Sequence, residues 1–317
     1  MQNIQTHMKK FHSGKAGFTL VELLVAMTIT IILLGVLVYM TGVSTDTYRR
    51  TRSEVRAARQ AQEALSAIAN DFESMVMRRD GNAFEWLYAG EETSRLDGPE
   101  GREIVNTSRL IFFTSATDRY NGAVGEAGDA GGDVSAVGYR LVYRDQISDT
   151  DDEAHAVFSL YRTLADPDET FNNILAATNL EAAYTAQFSD DKDFEPSNFL
   201  VENIYEFSVT FLIEVPVEEN GVTVTHTVRA TMSPGNHLRE FRVSGSDIDF
   251  EGSIQYPTGS RLTQDQVENG TLAGVDISIT VLSDQGVIQA KRTGIDPADL
   301  IKKYGYHYTK SVIVPRP

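Results

Sequence analysis

A single long apolar run near the N-terminus constrains the fold of this chain more than any other feature. Phe18–Val43 spans 26 residues, and Glu22 is the only charged residue among them. About 20 apolar residues in a helix are enough to cross the hydrocarbon core of a bilayer. The residues before the run include three lysines and no acidic residue. The sequence therefore predicts one membrane-spanning helix over residues 18–43, preceded by a basic leader at residues 1–17.

A glycine directly before this run distinguishes it from a secretory signal peptide. A signal peptide has a shorter apolar core, and its cleavage site follows that core. Gly17 instead precedes the apolar run, so cleavage there would leave the membrane helix on the product. The basic leader, Gly17, Phe-Thr-Leu-Val-Glu at 18–22 and the long apolar helix together resemble the class III signal of type IV prepilins and type II secretion pseudopilins. The resemblance implies that a prepilin peptidase cleaves between Gly17 and Phe18 and that Phe18 is N-methylated.

Glu22 interrupts the apolar run and therefore needs a partner. An ionised carboxylate inside a bilayer is costly unless it is paired. Cleavage would create a free ammonium at Phe18, and the resemblance implies that Glu22 meets the amino terminus of a neighbouring subunit in the filament. A structural alternative is that Glu22 lies in the headgroup zone near the helix N-terminus, where the helix dipole favours a carboxylate. We expect Glu22 to be a filament-assembly residue.

The resemblance also predicts where the protein lies. It implies a single-pass inner-membrane protein with a cytoplasmic N-terminus and a periplasmic or extracellular head, which later enters a pilus or pseudopilus. The leader lysines agree with the excess of positive charge on the cytoplasmic side. Five arginines between Arg49 and Arg59 follow the span, however, and would lie on the opposite side. Charge alone leaves the orientation open, and only the resemblance decides it.

The helix is predicted to continue beyond the membrane. Residues 18–79 contain no proline, and good helix formers dominate residues 54–73. The pattern predicts an amphipathic continuation over residues 44–80, with the helix ending near Arg79 and packed on the sheet of the head. A coiled-coil dimer is the alternative explanation. Apolar residues recur at helical spacing and form one stripe: Ala58, Ala61, Leu65, Ile68, Phe72 and Met75.

After Asp80 the sequence changes to short alternating runs and polar loops, which predicts an α+β head over residues 81–317. The clearest hairpin joins two alternating runs, from Phe207 to Met232, through Asn220-Gly221. Thr170–Thr185 predicts a helical insertion, and Ser283–Gly286 predicts a turn. Further strands are expected at Arg109–Thr114, Val137–Arg144 (half-buried), Val157–Leu164, Glu240–Val243, Val275–Leu282 and Tyr306–Val314.

The order of these parts resembles the J-type minor pseudopilins and the larger W-type minor pilins. The resemblance implies a pilin-like fold, in which a long N-terminal helix packs on an antiparallel β-sheet. The proline that commonly precedes the late strand of those heads is absent, since Leu272-Ala273-Gly274 stands there. The similar segments are Gly138–Leu141, Ser159–Arg162, Phe199–Phe207 and Val275–Ile279.

Composition and motifs argue against several functions. The formal charge of -17 disfavours nucleic acid as a partner, because phosphate binding needs a basic surface. With no cysteine there is no disulfide framework and no thiolate metal site. The histidines of the head lack the spacing of a zinc site, and there is no Gly-x-Ser-x-Gly motif to suggest a hydrolase. We therefore expect no cofactor and no enzymatic activity.

Two acidic clusters in predicted loops are the remaining candidates for a metal site. Asp149, Asp151 and Asp152 lie in one of them, and residues 190–193 form the other. Oxygen-rich loops suit calcium, and some pseudopilins bind calcium in their heads. Neither cluster has the spacing of an EF-hand, so solvated loops are the simpler explanation. Trp86 is interpreted as a core residue, with an exposed aromatic contact as the alternative.

These observations predict a minor subunit of a type II secretion pseudopilus or a type IV pilus, at or near the tip, that supports secretion or pilus assembly. The expected partners are the prepilin peptidase, other pilins or pseudopilins through helix packing, the inner-membrane assembly platform and the membrane. A pilin-like head that binds or adheres to an external surface is the alternative. A signal-anchored periplasmic enzyme is disfavoured, because no catalytic constellation occurs in the sequence.

Overall fold

The computed structural model describes residues 17–78, 83–91, 108–115, 133–145, 155–188, 194–219, 221–233, 236–257, 260–292 and 295–315. Helix α1 runs from Leu20 to Glu73. The chain divides within this helix into two compact units, Met1–Arg52 and Ser53–Pro317, which are described in turn. An apolar helix followed by antiparallel strands confirms the α+β class.

In the first unit, α1 exposes its apolar side chains, as expected of a surface that lipid or other helices cover. Several of its threonine hydroxyls donate hydrogen bonds to carbonyl groups of the same helix. Thr28, Thr30 and Thr41 each donate to the carbonyl four residues earlier, at 2.8 Å. Such internal bonds satisfy hydroxyl groups where no water is available. The local chemistry of this segment therefore suits an apolar surrounding.

In its described residues, the second unit contains the rest of α1, eleven strands and several short helices. The strands are β1 (Glu85–Glu91), β2 (Ser108–Thr114), β3 (Ser135–Arg144), β4 (Val157–Leu164), β5 (Phe199–Glu202), β6 (Ile204–Glu219), β7 (Val222–Ser233), β8 (Asn236–Ser244), β9 (Asp247–Gly252), β10 (Thr271–Leu282) and β11 (Gly305–Ile313). The helices are α2 (Pro167–Glu169) with a π-helical turn (Thr170–Ile174), α3 (Leu180–Gln187), a 3-10 turn (Pro196–Asn198), α4 (Gln264–Glu268), α5 (Asp284–Ala290) and α6 (Pro297–Tyr304).

The eleven strands form one antiparallel sheet in the order β11-β10-β6-β7-β8-β1-β2-β3-β4-β5, with β9 added beside β8. The predicted hairpin is confirmed as β6–β7, with Val209 opposite Met232 and Glu219 opposite Val222. Gly221 has a φ of 80°, a left-handed conformation that glycine adopts without steric cost. The other predicted strands are also confirmed, with ends that differ by a few residues.

Helix α1 completes the core of the second unit. Ala61, Ile68 and Phe72 are buried, and the Phe72 ring stacks on Phe112 of β2 with centroids 4.4 Å apart. This packing confirms that the amphipathic stripe faces the sheet. Ala57 is buried in the first turn of the stripe, whereas the predicted Ala58 is only partly buried.

The chain passes from β5 to β6 through Asn203, which has a φ of 66°. Its N–H donates to the Phe158 carbonyl of β4 at 2.6 Å, and its carbonyl accepts from the Leu282 N–H of β10 at 2.8 Å. Asparagine tolerates this left-handed conformation better than most residues do. Asn203 thereby ties β4 to β10, which lie near opposite ends of the strand order.

Two local predictions were wrong for physical reasons. The helix ends at Glu73 instead of near Arg79, after which Met75 pairs with Thr114 of β2. Ser283–Gly286 is the start of α5 instead of a turn, because the Ser283 hydroxyl caps the helix by accepting from the Gly286 N–H at 3.1 Å. The half-buried strand predicted at Val137–Arg144 is confirmed, since buried and partly buried residues alternate from Tyr139 to Arg144. Gly138 is the exception, because α3 places Tyr184 next to it.

Candidate processing and assembly site

The predicted cleavage site lies just before α1, in residues without regular structure. Gly17 and Phe18 are exposed, Phe18 with 87% of its surface accessible. A Cβ added at Gly17 would have no atom within 4 Å, so nothing in this chain's own packing requires glycine there. A peptidase that must accommodate the residue in its active site is a separate reason for glycine. Cleavage between Gly17 and Phe18 therefore stays a prediction.

Glu22 closes a capping box at the start of α1. The Thr19 N–H and the Thr19 hydroxyl each donate to Glu22 Oε2 at 2.9 Å. The Glu22 N–H in turn donates to the Thr19 hydroxyl oxygen at 3.2 Å. This reciprocal pair satisfies two N–H groups at a helix N-terminus that would otherwise have no partner. The Glu22 carboxylate thus has a hydrogen-bonding partner within its own chain.

The apolar helix after Glu22 has the length and composition of a membrane anchor. Among the described residues, α1 is the one helix long and apolar enough to cross a bilayer. Its side chains from Leu20 to Tyr48 are exposed in this chain. Exposed apolar surface of this extent needs lipid or another protein to cover it.

A buried ion pair fastens α1 to the sheet, and sequence reasoning missed it. Asp71 accepts two hydrogen bonds from the Arg162 guanidinium of β4, from Nε and Nη2, each at 2.8 Å. The Tyr139 hydroxyl of β3 also donates to Asp71. Burial raises the pKa of Tyr139 well above its usual range, with the Asp71 charge adding to the effect, so the hydroxyl stays a donor. The helical spacing could have predicted that Asp71 is buried, because Asp71 lies on the same face of α1 as the apolar residues Ile68 and Met75.

A second polar contact joins α1 to two other elements. Arg56 donates through Nη2 to Glu202 of β5 at 2.5 Å and through Nη1 to Asp284 of α5 at 2.9 Å. Half of the Arg56 side chain is exposed, so these pairs add less to stability than the buried Asp71 contact. Their main effect is to fix the start of α5 beside this part of α1.

A charged cluster on β1 and β8 is structural. Glu85 accepts from Arg242 Nη1 at 2.9 Å and from the Leu180 N–H at the start of α3 at 2.7 Å. Arg242 also pairs with Glu240 and lies over the Tyr88 ring, 4.7 Å from its centroid. Burial, together with nearby Glu181, raises the pKa of Tyr88. The Arg242–Glu240 pair lies within β8, the other contacts join β8 or α3 to β1, and none of them forms a nucleophile–base pair.

A cleft of about 520 Å³ lies beyond the end of α1. Met77, Trp86 and Leu272 form part of its apolar wall, and Glu214 and Asp247 contribute carboxylates. Trp86 is buried, and its indole N–H donates to the Gly245 carbonyl at 2.7 Å, so its interpretation as a core residue is confirmed.

The predicted calcium ligands cannot be placed. Asp149, Asp151 and Asp152, and the second cluster at 190–193, lie outside the described residues. Within the described part of the chain, no group of three or more His, Asp or Glu side chains is arranged to hold a metal ion. Calcium binding therefore stays a prediction.

Comparison with known proteins identifies the N-terminal segment. Residues 12–38 match a family model described as the prokaryotic N-terminal methylation motif. The comparisons with curated proteins and with solved structures found no match. The matched range contains Gly17, Phe18 and Glu22 and most of the apolar run. The N-terminal segment of this chain is therefore similar to the prokaryotic N-terminal methylation motif, and the apolar helix that it begins leads into an antiparallel β-sheet.

Proposed function

We propose that this protein is a minor subunit of a type II secretion pseudopilus or a type IV pilus, and that it acts by assembly, at or near the tip. The observation that carries the proposal is the methylation motif at residues 12–38, together with the apolar part of α1, whose side chains are exposed from Leu20 to Tyr48. A filament subunit needs such a helix twice, first as a membrane anchor and then as a packing surface for its neighbours. The large antiparallel sheet supports the comparison with J-type and W-type minor subunits.

In this proposal the residues of the N-terminal segment have separate roles. The prepilin peptidase cleaves between Gly17 and Phe18, and Phe18 becomes the N-methylated terminus. Glu22 then exchanges its contact with Thr19 for the amino terminus of a neighbouring subunit. The inner-membrane assembly platform and other pilins are the partners, and the head lies on the periplasmic side until the subunit enters the filament.

The intact mass and the N-terminal sequence test the pathway. The full chain is isolated from cells with and without the prepilin peptidase. We expect a mature chain that begins at N-methylated Phe18 only when the peptidase is present. An uncut chain that begins at Met1 in both strains would contradict the proposal, and the protein would then be an ordinary signal-anchored protein.

Replacing Glu22 tests the assembly role. Glu22→Ala is expected to leave insertion and cleavage intact and to reduce the amount of the protein in sheared filaments by about tenfold or more, the range expected on losing a hydrogen bond to a charged group. The measurement is the ratio of filament-associated to cell-associated protein, for each variant expressed at the same level. Glu63→Ala, which removes an exposed carboxylate elsewhere on α1, is the matched control.

Glu22→Gln separates the two explanations of Glu22. Glutamine can still close a capping box, but it carries no charge. If pairing with an amino terminus is the role, Glu22→Gln fails to assemble as Glu22→Ala does. If Glu22 only caps α1, glutamine restores assembly to the wild-type level, and the assembly role is wrong.

A further inference from the structure

The last part of the chain has the opposite charge to the rest of the head. Residues 285–317 contain six Lys or Arg and two Asp or Glu, a formal charge of +4. Residues 53–284 contain 16 Lys or Arg and 41 Asp or Glu. Segregation on this scale creates a local field that differs in sign from that of the surrounding protein.

The structure places much of this positive charge on one surface, formed by α5, α6 and residues 291–292 and named here the α5–α6 surface. Arg292, Lys302 and Lys303 are exposed on it, together with the acidic residues Asp284 and Asp299. Ile288 of α5 is 58% exposed. The opposite side of the two helices is buried in a small apolar cluster, in which Val287, Ala290 and Leu300 pack with Phe158 and Leu282.

This surface lies beside the part of α1 that follows the predicted membrane span. Asp284, the first residue of α5, accepts from Arg56 at 2.9 Å. Arg56 comes only 13 residues after Val43, where the predicted span ends. Asp284 is therefore already paired with α1, and Lys302 and Lys303 of α6 are exposed to solvent.

We propose that the α5–α6 surface binds anionic phospholipid headgroups of the membrane in which the chain is anchored. The proposal rests on the membrane anchoring in the proposed function. Lys and Arg are attracted to an anionic leaflet over about a Debye length, roughly 8–10 Å at moderate salt. An exposed isoleucine among basic residues suits the boundary between headgroups and acyl chains. Because the rest of the head is acidic, the same leaflet repels it, so this surface is the part of the head that anionic lipid attracts.

A spin label reports this contact directly. The chain has no cysteine, so Ile288→Cys gives a single labelling site in the full chain. The labelled protein is reconstituted in vesicles of phosphatidylcholine, alone or mixed equally with phosphatidylglycerol, with a water-soluble nickel reagent on both sides. We expect phosphatidylglycerol to lower the collision rate of the label with nickel by about twofold or more, and high salt to reverse the change. A label at Val222→Cys, 63% exposed at the β6–β7 turn, should not respond.

Charge reversal provides the second test. Lys302→Glu with Lys303→Glu should abolish the response of the Ile288 label, whereas Arg239→Glu with Arg261→Glu, which changes the charge equally at other exposed positions, should preserve it. If the first pair unfolds the head, Lys302→Gln with Lys303→Gln should still weaken the response. Equal nickel accessibility in both lipids would overturn the proposal and favour an acidic protein partner for the surface. Cleavage and Glu22-dependent assembly are measured separately, so they would stand in that case.

Discussion

A Gly17→Val variant is expected to accumulate almost entirely as the uncut precursor, with an intact N-terminal leader. Gly17 is exposed, and a Cβ there would contact nothing within 4 Å, so the substitution should not disturb the fold. A branched side chain next to the scissile bond would instead obstruct the peptidase. The measurement is the fraction of mature chain by intact mass in cells that contain the prepilin peptidase.

The control for this variant is a second glycine that also has open space around it. Gly42 lies within the apolar run, and a Cβ added there also has no neighbour within 4 Å, so Gly42→Ala is the control variant. It should be cleaved like the wild type. Normal cleavage of Gly17→Val would show that the peptidase does not require glycine there, and the predicted site would then be wrong. Because filament entry follows cleavage in the proposed function, uncut Gly17→Val should also be absent from filaments.

Replacing Asp71 with alanine is expected to lower the free energy of unfolding of the second unit by about 3–5 kcal/mol, the usual cost of removing one partner from a buried ion pair. The loss follows because Arg162 and Tyr139 would stay buried without the carboxylate that both contact. Urea unfolding of the full chain in detergent, followed by the fluorescence of Trp86, measures it. Trp86 is the sole tryptophan, and it is buried in β1, so its emission reports on the head.

Two further variants test whether the ion pair explains the loss. Glu73→Ala removes an exposed carboxylate from the same end of α1 and should change the stability by less than about 0.5 kcal/mol. Asp71→Leu combined with Arg162→Met removes both charges, and it should cost less than Asp71→Ala alone, because no uncompensated charge then remains. If Asp71→Ala lowers the free energy of unfolding by less than about 1 kcal/mol, water or another group satisfies Arg162 in the variant. The ion pair would then contribute little to the attachment of α1 to the sheet.

Local signals in the sequence were sufficient for much of the fold. Asn220-Gly221 between two alternating runs identifies the β6–β7 hairpin, because few other sequences suit that turn. The helical spacing of Ile68, Phe72 and Met75 identifies the buried face of α1. Both features depend on residues that are close together in the sequence, where periodicity and turn chemistry apply.

The features that were missed depend on contacts that local patterns do not contain. Asp71 and Arg162 are 91 positions apart, so the position of Asp71 on the apolar face of α1 indicates that it needs a partner but does not identify Arg162. Ser283 can begin either a turn or a helix, and the packing of Val287 and Ala290 in the small apolar cluster decides for α5. The capping box of Thr19 and Glu22 was missed for another reason: Thr-x-x-Glu before an apolar run is a local signature, but Glu22 was assigned to assembly alone.

The enclosure of α1 in the second unit has a mechanical consequence. A force along this helix would reach the head through contacts that lie side by side, including the Asp71–Arg162 pair and the stacked rings of Phe72 and Phe112. Contacts that share a load in parallel resist until they rupture together, whereas contacts loaded one after another would open in sequence. We therefore expect the head to withstand tension up to one threshold and then to release α1 in a single step. A subunit of this kind would transmit the movement of a growing or retracting filament without gradual loss of its fold.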